Sequence, residues 1–209
     1  MSNQTKPTIF TQMKAIVDPT HTALVVWDVQ NTLVDTIFNQ ETFLKNSKAM
    51  IEKAREFRIP IIYTKITPLP REYESPFRTY MFMKRFRVDD PEKVPQFLVP
   101  GTPGAEIHKA IFPKNGDVVL DKHTASIFIG THFEQMMRVS NVQTILFTGI
   151  STEMGIASSA RDSSNRGFYT VVVQDCVSSP DREMHESALK LLKRVCIVAS
   201  SEDLIKAWK

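Results

Sequence analysis

Cysteine is scarce in this chain, with two residues, Cys176 and Cys196, in 209. That excludes a disulfide framework and fits a reducing compartment. Histidine is scarce as well. The five histidines show no metal-ligand spacing and are expected to be structural, His185 as a local bridge. Long apolar runs are missing: none approaches the roughly 20 residues of a membrane span. The amino-terminal stretch MSNQTKPTIFTQMK lacks the apolar core of a signal peptide, which makes a cytoplasmic location the expectation. Charge of one sign is not dominant either. A net charge of +3 is too small to point to nucleic acid. There is no internal repeat, low-complexity tract or interdomain linker. What is present, 42% hydrophobic and 23% charged residues, is ordinary globular composition, long enough for one domain with a sizeable core.

Read in order, residues 1–20 form a polar arm and residues 21–209 a single domain. Nearly continuous apolar runs mark strands covered on both faces at Thr22–Asp28, Ile59–Thr64, Asp117–Asp121, Thr144–Thr148, Phe168–Gln174 and Cys196–Ala199. Helical periods or caps fall between them at 40–57, 105–112, 131–141, 152–166, 182–195 and 201–209, the last with Ser201 as N-cap. Strands alternating with helices predict an α/β fold, a three-layer α-β-α sandwich around a six-stranded, mostly parallel sheet. Residues 65–104 do not fit the alternation. They hold seven of the twelve prolines and an aromatic-basic patch, REYESPFRTYMFMKRFR. The segment reads as an excursion that packs on the domain or on another copy, or as a lid whose arginines meet an anionic substrate.

In such a fold ligands bind beyond the carboxyl ends of the strands. That rule selects Asp28, Tyr63 with Thr64, Lys122 and the turn from Ser151 to Gly155. Asp28 and Lys122 are a carboxylate and an ammonium directly after apolar strands, suited either to a structural ion pair or to proton transfer in a cleft. Ile145–Gly167 is a strand, a Thr148-Gly149 turn and a helix start, whose free amides favour an oxyanion or carboxylate. Gly155 in the first turn is costly for a helix, and close packing of helix on sheet is its ordinary explanation.

Three motifs resemble the isochorismatase-like hydrolases, the cysteine hydrolase superfamily. They are Val26-Trp27-Asp28-Val29-Gln30-Asn31, Lys122-His123-Thr124-Ala125-Ser126-Ile127-Phe128, and Thr148–Gly155 followed by Ser159-Ala160-Arg161-Asp162. The resemblance implies Asp28 and Lys122 as catalytic residues and a cis peptide between Ile150 and Ser151. It places the usual nucleophilic cysteine at Gly155, so the thiol is missing. It also implies a hydrolase that needs no cofactor and no metal, and a homo-oligomer, dimer or tetramer, with a small-molecule substrate and neither nucleic-acid nor membrane partners. The nicotinamidase branch carries an Asp-x-His metal motif where this chain has Thr64-Lys65-Ile66. True isochorismatases tend to have Tyr at Ser151 and Gln at Ile66, and several carry Gly at the thiol position. In them the Asp protonates a vinyl ether and water completes hydrolysis. The Ser151-Thr152 pair is closer to the amidohydrolase branch.

Two main readings follow, beside a third in which the aromatic-basic excursion forms an assembly interface and the cleft is vestigial. In one, Asp28 is a general acid, Lys122 orients it, the Ser151 and Gly155 amides cradle an anion, and Leu33, Phe38, Tyr63 and Thr152 contact the substrate. In the other, a small amidohydrolase has lost its thiol and become a ligand-binding or structural protein. The first carries a physical tension. A neighbouring Lys lowers an Asp pKa, whereas a general acid at neutral pH needs it raised. Burial against Trp27, Leu33 or Phe38 has to win.

Overall fold

Six strands form one parallel sheet: β1 (Thr22–Trp27), β2 (Ile61–Ile66), β3 (Val118–Lys122), β4 (Thr144–Ile150), β5 (Tyr169–Ser178) and β6 (Ile197–Ala199), in the spatial order β3-β2-β1-β4-β5-β6. All five strand pairings are parallel. The computed structural model describes residues 8–209; residues 1–7 of the expected arm lie outside the described residues.

Among the described residues, eight α-helices accompany the sheet: α1 (Met13–Ile16), α2 (Asn31–Val34), α3 (Gln40–Glu56), α4 (Pro76–Phe86), α5 (Phe133–Val139), α6 (Ala157–Asn165), α7 (Arg182–Leu192) and α8 (Ser201–Ala207). Side chains alternate across a strand, so the sheet supplies two cores. Leu24, Val26, Tyr63, Leu146 and Val171 join Phe43, Met50 and Ala54 of α3 and Leu204 of α8. Ala23, Val25, Trp27, Ile62 and Phe147 join Phe133 and Met137 of α5, Ala160 of α6 and Leu192 of α7. The residues before β1 are fastened to the first layer. Trp208 donates its indole N–H to the Val17 carbonyl at 2.8 Å, and the Phe10 amide donates to the Tyr169 hydroxyl.

Several sequence expectations shift, each for a physical reason. Strand β2 starts at Ile61 rather than Ile59, because the Ile59 amide closes the end of α3 on the Ala54 carbonyl. The expected helix at 105–112 is absent apart from a short turn, Lys109–Ile111. The His108 amide donates to the Val29 carbonyl and Ile107 pairs with Gln30, and a chain pinned this way cannot coil. Ser200, not Ser201, caps α8, its hydroxyl accepting from the Asp203 amide. Thr148 and Gly149 are not a turn but lie within β4, with an irregularity in its pairing to β5.

Candidate active site

β1 delivers Asp28 to the carboxyl edge of the sheet, and its backbone turns there into the left-handed region at φ 46°, which Asp tolerates better than most side chains. The Asp28 amide donates to the Thr64 hydroxyl at 3.1 Å, and that hydroxyl donates back to Asp28 Oδ1 at 2.6 Å. Lys122 ends β3, two strands away. Strands sit about 4.8 Å apart, so two spacings are about 9.6 Å, which the long lysine side chain and the aspartate span together. Its Nζ stands 2.7 Å from Asp28 Oδ2, 3.2 Å from the Thr124 carbonyl and 3.9 Å from the centre of the Trp27 ring. An ammonium has three N–H donors; two meet oxygens and the third direction meets an aromatic face.

The pair is almost dry, with side-chain exposures of 1% for Lys122 and 7% for Asp28. Burial therefore dominates both ionisations. It pushes the Asp28 carboxyl above its ordinary value even though the ammonium and the hydrogen bonds of Lys122 and Thr64 pull the other way. It lowers Lys122 in turn, with Asp28 opposing. Desolvation disfavours the charged form of each group, so the tension between burial and the lysine resolves in favour of burial.

The loop after β3 is held by the other quoted motif residues. Ser126 Oγ donates to Asp162 of α6 at 2.5 Å, and the Ile127 amide donates to the Ser159 hydroxyl. Phe128 packs edge-on against Phe133, and Arg166 lies 4.8 Å over its ring. The spacing from Lys122 to Phe128 is thus a fastening of the lysine-bearing loop to α6. The side chain of Gln30 performs the same task on the other flank. Its amide donates to the Ile66 and Ala105 carbonyls and accepts from the Ile66 amide, tying β2 to the excursion.

The peptide bond joining Ile150 and Ser151 is cis. Helix does not follow at once. Thr152–Ile156 is a wide π-type turn in which the Ile156 amide reaches the Ser151 carbonyl, and the regular helix α6 begins only at Ala157. Thr152 is buried against the end of β5 and α7. Its amide donates to the Ser179 hydroxyl, and its own hydroxyl meets the Ser178 carbonyl and His185 Nδ1, the last at 2.8 Å. Glu153 accepts from Ser179. Phe38 belongs to this same group, its ring edge-on to His185 and beneath Arg182.

Of the residues selected from sequence, Asp28 and Lys122 are in direct contact. Gly155 is brought against Trp27, the residue on which Lys122 rests. Tyr63 is not brought there. It is fully buried on the α3 side, where its hydroxyl accepts from Arg55 at 3.2 Å and burial pushes it up to about 12. Leu33 packs against the same α3-side core. Thr64 and Trp27 carry the contacts instead. The strand-end rule did reach Thr64; Trp27 was legible only as bulk near Asp28. Cys176 lies near the carboxyl end of β5 but belongs to the α3-side core, and burial pushes Cys176 far up and Cys196 up to about 11. Arg78 of α4 donates to the His123 carbonyl at 2.5 Å, so the excursion is latched beside Lys122.

His185 offers a test of the group behind the cis peptide. Burial lowers its pKa, outweighing the opposing pull of Glu153 and Glu186. The unfolded chain takes up the proton near pH 6.5, the folded chain only at lower pH, so stability falls as pH drops through that window. His185→Gln should flatten the acid side of a urea-midpoint profile between pH 7 and 5. An unchanged slope would remove His185 from this role.

Among the described residues, no cluster of three or more His, Cys, Asp or Glu side chains could hold a metal ion, and no helix is long and apolar enough to cross a membrane. The sequence matches the isochorismatase domain model over residues 22–203. It is 37% identical over 92 residues to maleamate amidohydrolase of Pseudomonas putida, which is 44% of this chain and 43% of that protein. It is 34% identical over 85 residues to ureidoacrylate amidohydrolase of Methylorubrum extorquens, which is 41% of this chain and 34% of that protein. The chain therefore spans less than half the length of each of these curated relatives. In fold it is similar to a cysteine hydrolase from Pseudomonas syringae pv. phaseolicola, with a TM-score of 0.80 at 17% identity over 98% of both chains. It is also similar to N-carbamoylsarcosine amidase from Thermoplasma acidophilum, with a TM-score of 0.66 at 22% identity over 87% of this chain and 96% of the other. With the family model covering most of its length and the six-stranded parallel fold in common, the chain belongs to the isochorismatase domain family.

Proposed function

We propose that this protein is a hydrolase that cleaves a small anionic metabolite by general-acid catalysis, without a thiol nucleophile, a metal or a cofactor. The observation that supports this reading is the Asp28 carboxyl, buried and pushed up in pKa although an ammonium lies 2.7 Å away. An ion pair and a neutral pair hold the same proton, and burial narrows the gap between them. Toward a vinyl ether, Asp28 can then take that proton from Lys122 and deliver it to the terminal carbon of the double bond; water adds to the oxocarbenium ion so formed and returns a proton to the site, and the hemiketal collapses to a ketone and an alcohol with no covalent enzyme intermediate. Arg78, latched to the His123 carbonyl and facing Glu74 at 3.9 Å, brings a guanidinium to the loop that carries Lys122.

Incubation with isochorismate, following pyruvate release, tests this reading with a vinyl ether. General acids contribute about 10²–10⁴-fold, so Asp28→Ala should lower the release rate by that factor. Release from the wild type that survives Asp28→Ala unchanged would end the reading.

A second reading, that a former amidohydrolase now binds a ligand or acts structurally, is favoured by the near-complete burial of the pair and by the full use of the lysine's N–H groups. Absence of turnover on vinyl ethers and on maleamate- and ureidoacrylate-type amides selects it. Self-association as a dimer or tetramer goes with either reading. The exposed Tyr73, Phe77, Tyr80 and Met81 of the excursion are the apolar surface that such a contact would cover.

A further inference from the structure

We propose that Trp27 stands where the side chain of residue 155 would otherwise stand, and that it is the positioning residue which holds the Lys122 ammonium on Asp28. The proposal rests on the thiol-free reading of this site and adds the residue that replaced the thiol.

The two glycines of the β4 region make the case by contrast. A Cβ on Gly149 would meet the main chain of β1, 2.0 Å from the Trp27 carbonyl oxygen and 2.6 Å from its nitrogen. That is the ordinary glycine of close backbone approach. A Cβ on Gly155 would meet no main chain first. It would lie 2.1 Å from Trp27 Nε1, 2.3 Å from Cε2 and 2.6 Å from Cζ2. All three are indole atoms, of a side chain only 1% exposed and wedged in the core. The expectation that Gly155 serves close packing of helix on sheet is met through one side chain of β1, the Trp27 indole. Gly155 and Trp27 require one another, since a full-size indole fits only against a residue with no side chain.

The exchange changes the chemistry of the spot. A thiolate adds to a carbonyl; an indole nitrogen cannot, because its lone pair belongs to the ring and only its N–H is offered. Acyl-transfer chemistry is closed off and a hydrogen-bond donor takes its place. The same ring presents its face to Lys122 Nζ at 3.9 Å. A desolvated ammonium over an indole is among the stronger cation–π contacts. It occupies the direction left over after Asp28 and the Thr124 carbonyl are served.

The test uses thiol chemistry and needs no substrate, so its outcome is separate from that of the turnover assay. Gly155→Cys alone should lower the melting temperature by several degrees, as overpacking in a protein of this size does, and its new thiol should resist iodoacetamide. Trp27→Val combined with Gly155→Cys should melt close to Trp27→Val alone. Its introduced thiol should be alkylated at least tenfold faster at pH 7 than Cys196. The pH profile of that alkylation should show an apparent pKa below the ordinary value of about 8.5, moving upward when Lys122→Met is added. That movement reports the Lys122 ammonium beside the space that the indole fills in the wild type. Should Trp27→Val fail to fold, Trp27→Leu takes its place. The proposal is overturned if Gly155→Cys alone melts with the wild type and reacts as fast as the double variant. It is equally overturned if Lys122→Met leaves the alkylation profile where it was.

Discussion

Gly149→Ala is expected to cost the protein about 3–5 kcal/mol, a large share of the roughly 5–15 kcal/mol that holds an ordinary domain folded. Two effects add. Gly149 has φ +118°, a conformation that L side chains rarely adopt, and strain of that kind costs about 1–3 kcal/mol. The methyl group would also stand 2.0 Å from the Trp27 carbonyl oxygen. Overpacking in a core costs about 1–3 kcal/mol when side chains can move aside. Here the obstacle is the main chain of a central strand, paired on both edges to β2 and β4, so little relief is available. Urea unfolding of the purified variant measures the loss directly, and a change below 1 kcal/mol would mean that β1 and β4 do not approach as closely as described. A comparison with Gly167→Ala is informative. Gly167 also has a positive φ, +83°, yet nothing lies within 4 Å of the position its Cβ would take. Its loss should be the strain alone, so the difference between the two variants isolates the contact with β1.

That contact shows where sequence reading succeeds and where it stops. Asp28 and Lys122 were legible because each ends an apolar run, and parallel strands end on one edge. Their bond was not legible, since it depends on strand order: β3 lies beyond β2, and only a side chain as long as lysine bridges the gap. Tyr63 ends up in the middle of β2, which runs on to Ile66, and alternation turns it to the α3 side, in register with Val26 and not with Trp27. A count of parity from the core-facing residues of β2 would have excluded it. Helix α4 lay unnoticed in the proline-rich excursion although its start is written plainly. Ser75 caps it, accepting from the Arg78 amide, and Pro76 follows at the first helical position, where its missing N–H does no harm. The role of Gly155 was the least legible. The spacing marks an unusual glycine, but its partner is the side chain of Trp27, 128 residues earlier in the sequence.

Lys122→Met should destabilise the protein by about 3–5 kcal/mol at pH 7, the range found when one partner of a buried ion pair is removed. The exposures of 1% and 7% place this pair among buried ones, beyond the reach of solvent screening that makes surface pairs nearly worthless. The variant leaves the Asp28 carboxyl in a dry site without its counter-charge. Burial already raises that carboxyl in the wild type, and without Lys122 the largest opposing effect is gone. The sign follows. A carboxyl whose folded pKa lies above its unfolded value of 3.8 binds its proton more tightly when folded. Stability is then fully retained below that unfolded value and is lost as pH rises through the folded pKa. Lys122→Met should therefore be more stable at pH 5 than at pH 7, the reverse of the acid weakening expected from His185. Adding Asp28→Asn removes the charge that the variant strands, and the double variant should recover part of the loss and lose most of the pH slope. A double variant as unstable as Lys122→Met alone would mean that the methionine fails to pack on Trp27. A single variant within 1 kcal/mol of the wild type would mean that the site admits water freely. In that case the proton would not be held ready on Asp28, because a solvated carboxyl beside an ammonium ionises completely at neutral pH.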